Sequence, residues 1–296
     1  MNELIRIEKA NKIFVKKSLL KNSLPIHAIN QADLTIYQGE TVGLVGESGS
    51  GKTTLGRSIL QLETLTSGDI YFKGVNLTQA NKNQRQKAQK DMQIIYQDPY
   101  SSLNPNLTAL QLVMEPLELQ FSSAEAKKRA MEVLALVGFT EEDANKLPFA
   151  FSGGQRQRIG IARAVATNPE FILCDEPISA LDVSIQAQII NLLVQLQKKF
   201  SLTYLFISHD LSMVRYISDR ILVMYQGKIL EVGPAEELFI NPQHAYTKKL
   251  LRAIPEPDPK KARKNFSEMV EDYRFDEKKT QWTEVSEGHF YAKEIL

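Results

Sequence analysis

Apolar and polar residues alternate in two stretches near the start of the chain, Leu4-Ile-Arg-Ile-Glu8 and Ala32-Asp-Leu-Thr-Ile-Tyr37, the period of half-buried strands. Gly68-Asp-Ile-Tyr-Phe72 repeats the pattern after a Thr66-Ser-Gly turn. Shorter, nearly continuous apolar runs predict buried strands at Thr41–Val45, Asp91–Gln97, Phe171–Cys174, Leu202–Ile207 and Arg220–Tyr225. Gln226-Gly227 is a turn signal leading into Lys228–Val232. Helical spacing appears in three places. Leu55, Ile59 and Leu62 mark one side of a helix from Thr54, and Leu110, Val113, Leu117, Met131, Leu134 and Val137 mark helices between about 108 and 138. Ile185, Ile189, Leu193 and Leu196 mark a third, from about Val183 to Lys199. The sum is an α/β core interrupted by a helical insert at about residues 98–165.

At 296 residues the chain can bury a large core. Its 36 Lys and Arg against 35 Asp and Glu leave a formal charge of +1, without the basic excess of a nucleic-acid binder. Cys174 is the sole cysteine, which excludes an intrachain disulfide and an all-cysteine metal or iron–sulfur site. Charges near Met1 interrupt any secretion signal, and no run reaches the ~20 apolar residues that cross a bilayer. A soluble cytoplasmic protein is expected. From Pro255 onward, three prolines (Pro255, Pro257 and Pro259) and the run Lys260-Lys-Ala-Arg-Lys264 read as a linker or extended tail with a solvated basic cluster, offset by nearby acids.

The pattern acquires chemistry at Gly46-Glu47-Ser48-Gly49-Ser50-Gly51-Lys52-Thr53, a complete G-x-x-x-x-G-K-[ST] loop between a buried strand and a helix. Backbone N–H groups up to Thr54 and the helix start face an anion, Lys52 reaches the β- and γ-phosphates, and the Thr53 hydroxyl suits Mg²⁺. A second signal closes the strand at Phe171: Asp175 presents a carboxylate to the Mg²⁺ shell, and Glu176 points elsewhere as the base that polarises an attacking water. A third is Ser152-Gly153-Gly154-Gln155, where Ser152 can cap a helix whose glycines let its N–H groups approach a second anion. Taken alone, that stretch also fits a plain capped helix. One nucleotide needs a single such helix start, and a dimer in which each chain closes the other's site accounts for two.

Together these residues resemble the ATPase subunits of ATP-binding cassette (ABC) transporters, over almost the whole chain. Phe151–Gln155 resembles the family signature, with Phe where Leu is commonest. Gln97 falls where the family has a glutamine sensing Mg²⁺ and the transporter interface, Ser179-Ala-Leu-Asp182 resembles the loop crossing the dimer interface, and Ser208-His209-Asp210 the switch whose imidazole meets the γ-phosphate. The family stacks adenine on an aromatic upstream of the loop; Phe14 fits, with His27 as the alternative, because residues 16–27 look like an insertion that shifts the spacing. The resemblance implies a P-loop (RecA-like) ABC fold with an antiparallel β subdomain. Residues 1–255 would form the ATPase domain, with its core at 1–97 and 166–240 and its helical subdomain at about 98–165, and 241–296 a C-terminal extension. It also implies two cassettes, head to tail, sandwiching two ATP molecules.

Two further stretches narrow the resemblance. Gln97–Pro105 is similar to the segment of peptide-importer ATPases that leads into the helical insert, a region forming the groove for a helix of the membrane subunit. Asn241–Pro255 resembles the C-terminal motif of oligopeptide, dipeptide and nickel importer ATPases; His244, Tyr246 and Thr247 fit, and Ala245 replaces the usual proline. Trp282–Phe290 is similar to the tail of the second ATPase of oligopeptide importers. The implied protein is a peripheral ATPase on the cytoplasmic face of the membrane. Its implied partners are a second cassette, different or identical, two membrane permease subunits and an extracytoplasmic substrate-binding protein, without nucleic acid. A nickel or other solute importer is the nearest alternative. A non-transport cassette acting on DNA or ribosomes lacks support, since the chain has neither tandem cassettes nor a long coiled-coil insert, and a small-molecule P-loop kinase would not need Ser152 or His209.

Overall fold

The computed structural model describes residues 2–15, 25–253 and 280–294. Two long strands, β1 (Glu3–Phe14) and β2 (Ile26–Tyr37), precede β3 (Thr41–Val45), α1 (Lys52–Ile59), β4 (Ser67–Phe72), β5 (Val75–Asn76), α2 (Lys82–Lys90) and β6 (Met92–Ile95). A helical stretch follows: α3 (Pro99–Ser102), α4 (Ala109–Met114), α5 (Ser123–Leu136), α6 (Glu141–Ala144) and α7 (Gly153–Ala166). The α/β pattern resumes with β7 (Phe171–Asp175), α8 (Val183–Phe200), β8 (Thr203–Ile207), α9 (Leu211–Ile217), β9 (Arg220–Tyr225), β10 (Lys228–Pro234), α10 (Ala235–Ile240) and α11 (Ala245–Arg252). The hairpin β11 (Thr280–Ser286) and β12 (His289–Glu294) ends the described chain.

The strands form two sheets. An antiparallel sheet has the order β2-β1-β4-β5, and a mixed sheet of eight strands the order β11-β12-β10-β9-β3-β8-β7-β6. From β9 to β6 the larger sheet is parallel. Its central strands are buried on both faces, which is why their sequences run apolar without alternation. Successive side chains nevertheless serve different cores. In β7, Phe171 and Leu173 pack with Leu55, Ile59 and the β1–β2 sheet, whereas Ile172 and Cys174 face α7, α8 and the helical stretch.

Several elements depart from the sequence pattern. Leu62 does not share the buried face of Leu55 and Ile59: α1 stops at Ile59, Gln61 turns left-handed at φ 57°, and Leu62 swings out to 55% exposure. Helix α2 escapes a search for apolar stripes because Ala88 is its only buried residue, and a capping box between Asn81 and Gln84 starts it instead. The helical pattern at 108–138 is two helices, with Leu117 buried in the turn between them. Trp282–Phe290 contributes to β11 and β12, and β12 extends the main sheet by pairing Glu231 with Tyr291 and Val232 with Phe290. Most of the insertion at 16–27, Lys260–Lys264 and the close of the Asn241–Pro255 motif lie outside the described residues.

Candidate nucleotide site

Strand order assembles the site. β3, β8, β7 and β6 lie side by side and parallel, so the segments that leave their C-terminal ends meet on one edge of the sheet, where α/β proteins place ligands. Those segments are the glycine loop after β3, Ser208–Asp210 after β8, Glu176 after β7 and Gln97 after β6. Residues spread over more than 160 positions in sequence thus converge because of four hydrogen-bonded neighbours.

The loop from Gly46 to Thr53 is held from inside. The buried Lys52 ammonium donates to the carbonyls of Gly46 and Glu47, both at 2.8 Å, and to Ser50 Oγ at 3.3 Å. Burial pushes its pKa down, and Glu176, Asp175 and Glu47 pull it back up. Gly51 has φ 106°, and a Cβ there would stand 1.9 Å from the Ala28 carbonyl, so only glycine lets the loop pass β2. Helix α1 opens immediately afterwards, leaving its first N–H groups without intrahelical acceptors. Glu47, Ser48 and Gly49 are exposed at the lip, Ser50 is buried beneath it, and Thr54 is half-buried within the first turn.

The carboxylates sit opposite. Thr53 Oγ1 donates to Asp175 Oδ1 at 2.8 Å, and Arg57 Nη2 lies 3.8 Å from Asp175 Oδ2. Burial raises the Asp175 pKa, countered by the Thr53 bond, Arg57 and Lys52 and reinforced by Glu176. A partly desolvated carboxylate beside a hydroxyl is a hard-oxygen pair suited to Mg²⁺, which takes one or two protein oxygens and completes its shell with phosphate and water. The Glu176 backbone turns left-handed (φ 50°), and its N–H donates to the Ile207 carbonyl at 3.0 Å. Its carboxylate Oε2 accepts from Gln97 Nε2 at 3.0 Å and lies 3.6 Å from His209 Nδ1. The side chain of His209 is 64% exposed.

Not every expected site residue joins this cluster. Among the described residues, no hydrogen bond or ion pair links Ser152–Gln155 or Asp182 to the loop. Ser152 caps α7 in a reciprocal box with Gln155: Ser152 Oγ accepts from the Gln155 N–H at 3.3 Å and the Gln155 side chain accepts from the Ser152 N–H at 2.9 Å. Asp182 precedes α8 as its N-cap residue and is exposed. Gly153 lies near Leu181, whereas a Cβ on Gly154 would stand 2.5 Å from Ile185 Cγ2, a branch fixed close to the α8 backbone. Gly154→Ala is therefore expected to cost about 1–3 kcal/mol by overpacking, a fall of several degrees in melting temperature by scanning fluorimetry. An unchanged melt would mean that α7 and α8 separate freely. Helix α7 is also tied to the Gln97 segment, since Gln157 Nε2 donates to the Tyr96 carbonyl at 3.3 Å. Phe14 ends β1 opposite Ile26, at the Ala28 end of β2, 39% exposed and with the Lys12 ammonium 4.7 Å from its ring centre. His27 is its exposed neighbour across the same strand pair, opposite Ile13.

Two contacts have no signal in the spacing of the motifs. Arg57 reaches Asp175 from the last turn of α1, and the Tyr246 hydroxyl accepts from the Glu47 N–H at 3.0 Å across 199 positions.

A phosphate loop, an acid-tipped neighbouring strand, a glutamine and a histidine converging on a second acid, and a separate capped helix define a nucleotide-binding cassette. Comparison with known proteins agrees. Residues 29–179 match the model of the ABC transporter family, and residues 230–278 match the oligopeptide/dipeptide transporter C-terminal region. The chain belongs to the ABC transporter ATPase family. It is 51% identical over 273 residues to the oligopeptide transport ATP-binding protein OppF of Bacillus subtilis, covering 90% of this chain and 89% of that one. It is 50% identical to the dipeptide transport ATP-binding protein DppF of Lactococcus lactis, covering 89% and 86%. Among solved structures it is similar to a dimeric ATP-binding cassette in a post-hydrolysis state bound to ADP and phosphate, with TM-score 0.70, 32% identity and coverage of 78% of this chain and 99% of that one.

Proposed function

We propose that the chain is the ATP-binding and ATP-hydrolysing subunit of a peptide importer, working at the cytoplasmic face of the membrane. The observation that carries the catalytic reading is the convergence of Gln97 and His209 on the Glu176 carboxylate beside the Thr53–Asp175 pair. Glu176 polarises the attacking water, Lys52 holds the β- and γ-phosphates, and His209 meets the γ-phosphate from the exposed side. Thr53, Asp175 and Gln97 are the residues that would hold Mg²⁺, whose bound charge would offset the charge that develops on the phosphoryl oxygens. Phe14 stacks the adenine, with His27 as the alternative.

Ser152–Gln155 and Asp182 belong in this reading to a second site, closed across a head-to-tail cassette dimer. Their separation from the loop within one chain supports that assignment. ATP then acts as an ordering ligand that closes the dimer, and hydrolysis with phosphate release opens it. Between β6, α3, the end of α4 and α7 lies an open groove of about 640 Å³, lined by Tyr96, Ser102, Pro116, Leu119 and the half-buried Arg163. Its position beside Gln97 fits a membrane-subunit helix whose motion would reach Glu176 through Gln97 and α7 through Gln157. The match of residues 230–278 and the names of the relatives support peptide as the cargo class, oligopeptide or dipeptide.

Affinity capture of the tagged chain from gently solubilised membranes tests the assembly. Two integral membrane subunits, a related second ATPase and a substrate-binding protein are expected to co-purify. Recovery with ribosomes or DNA instead would overturn the transport reading. Among the described residues no helix is long and apolar enough to cross a membrane, so attachment in this reading comes through those partners.

A further inference from the structure

Three stretches that the nucleotide site leaves unused meet behind its phosphate loop. Glu231, in β10, is fully buried. Its Oε1 accepts from the Gln243 N–H at 2.8 Å and lies 2.8 Å from His289 Nε2, and its Oε2 accepts from the His244 N–H at 2.9 Å. A buried carboxylate persists only where its lone pairs are filled. Here two donors come from the loop before α11 and one from β12, so Glu231 bolts those two segments together. His289 is itself fully buried, and its Nδ1 lies 3.4 Å from Glu237 in α10.

The bolt continues into α11. His244 caps that helix, its Nδ1 accepting from the Tyr246 N–H at 3.1 Å. The fully buried Tyr246 ring stands 4.4 Å from that of Tyr225 at the end of β9. Its hydroxyl accepts from the Glu47 N–H at 3.0 Å. Burial pushes the Tyr246 pKa up to about 12, so the hydroxyl stays neutral near pH 7. The peptide that supplies this N–H is the Gly46–Glu47 unit, and its carbonyl is the Gly46 oxygen that accepts Lys52 Nζ at 2.8 Å. A trans peptide is a rigid plane with N–H and C=O on opposite edges. Fixing one edge aims the other.

We propose that Tyr246 is a positioning residue for Lys52, acting through the Gly46–Glu47 peptide, and that the C-terminal hairpin holds Tyr246 in place through His289 and Glu231. This rests on the reading of Gly46–Thr53 as the nucleotide site. Loss of the hydroxyl leaves the loop folded but frees that peptide to turn, which moves the acceptor of the phosphate-binding ammonium. The tail beyond residue 280 therefore influences nucleotide affinity without touching nucleotide.

The test titrates MgADP into the full chain by calorimetry, with melting temperatures recorded in parallel. Tyr246→Phe keeps the ring and is expected to weaken MgADP about threefold to tenfold, the worth of one hydrogen bond, with a melting temperature within about 2 °C of the parent. His289→Ala is expected to weaken binding to a similar degree, and His289→Gln, which retains a donor for Glu231, to restore most of it. The double variant Tyr246→Phe/His289→Ala should bind no worse than the weaker single, as expected of residues acting along one path. Affinity unchanged in Tyr246→Phe would overturn the role of Tyr246, and additive losses would overturn its link to the hairpin. If His289→Ala fails to fold, Tyr246→Phe and His289→Gln carry the test. Lys52→Ala separates the two readings: normal MgADP binding by that variant would show that the Lys52 ammonium does not hold the phosphates, whereas its loss beside a normal Tyr246→Phe removes the positioning role alone.

Discussion

Glu176→Gln is expected to lower ATP turnover in the assembled transporter by about 10²–10⁴-fold, the usual worth of a positioned general base. The substitution keeps size and hydrogen bonding but removes the carboxylate charge that would polarise water. Gln97 already occupies one Glu176 oxygen at 3.0 Å and His209 approaches it at 3.6 Å, so the amide can be held by the same neighbours and the pocket keeps its shape. Nucleotide still binds, because Lys52 and the helix start are untouched. The variant should therefore accumulate with ATP bound and two cassettes closed, seen as a larger ATP-dependent species in a sizing experiment on the purified assembly. Normal turnover would transfer the base role away from Glu176.

Lys52→Ala should abolish binding rather than slow chemistry. The Lys52 ammonium is buried and bridges two loop carbonyls and Ser50. Deleting it removes the charge facing the phosphates and leaves two carbonyls aimed at the ligand. Truncating one partner of a buried charge-assisted contact costs about 2–5 kcal/mol, or roughly 30-fold to several-thousand-fold in affinity. Calorimetry with MgADP reads this directly. A dissociation constant within about threefold of the parent would show that the backbone alone holds the phosphates.

The nucleotide motifs are legible in sequence because their chemistry is local. A loop of eight residues and an acid pair closing an apolar strand carry their own context, and β3, β7 and β8 fall where the apolar runs placed them. Ser152 as the cap of α7 is equally legible, whereas the reciprocal bond from Gln155 emerges only in the structure. What spacing could not reveal was distance in the fold. That Gln97, Glu176 and His209 converge follows from the order β8-β7-β6, a property of hydrogen bonding between strands. Helix α2 hides because it buries one alanine, and Leu62 misleads because a left-handed turn at Gln61 breaks the helical period just before it. The hairpin at 280–294 and the path from His289 to Glu47 depend on buried polar pairs, which hydropathy reads as surface.

The open groove beside Gln97 and the separation of Ser152 from the loop both point beyond a single chain. ATP turnover by the captured assembly in proteoliposomes, with and without peptide-loaded binding protein, therefore tests most directly whether this cassette drives peptide uptake. Turnover is expected to need the membrane subunits and to rise with peptide. Equal turnover by the isolated chain, with no response to peptide but stimulation by DNA or a phosphate acceptor, would contradict it.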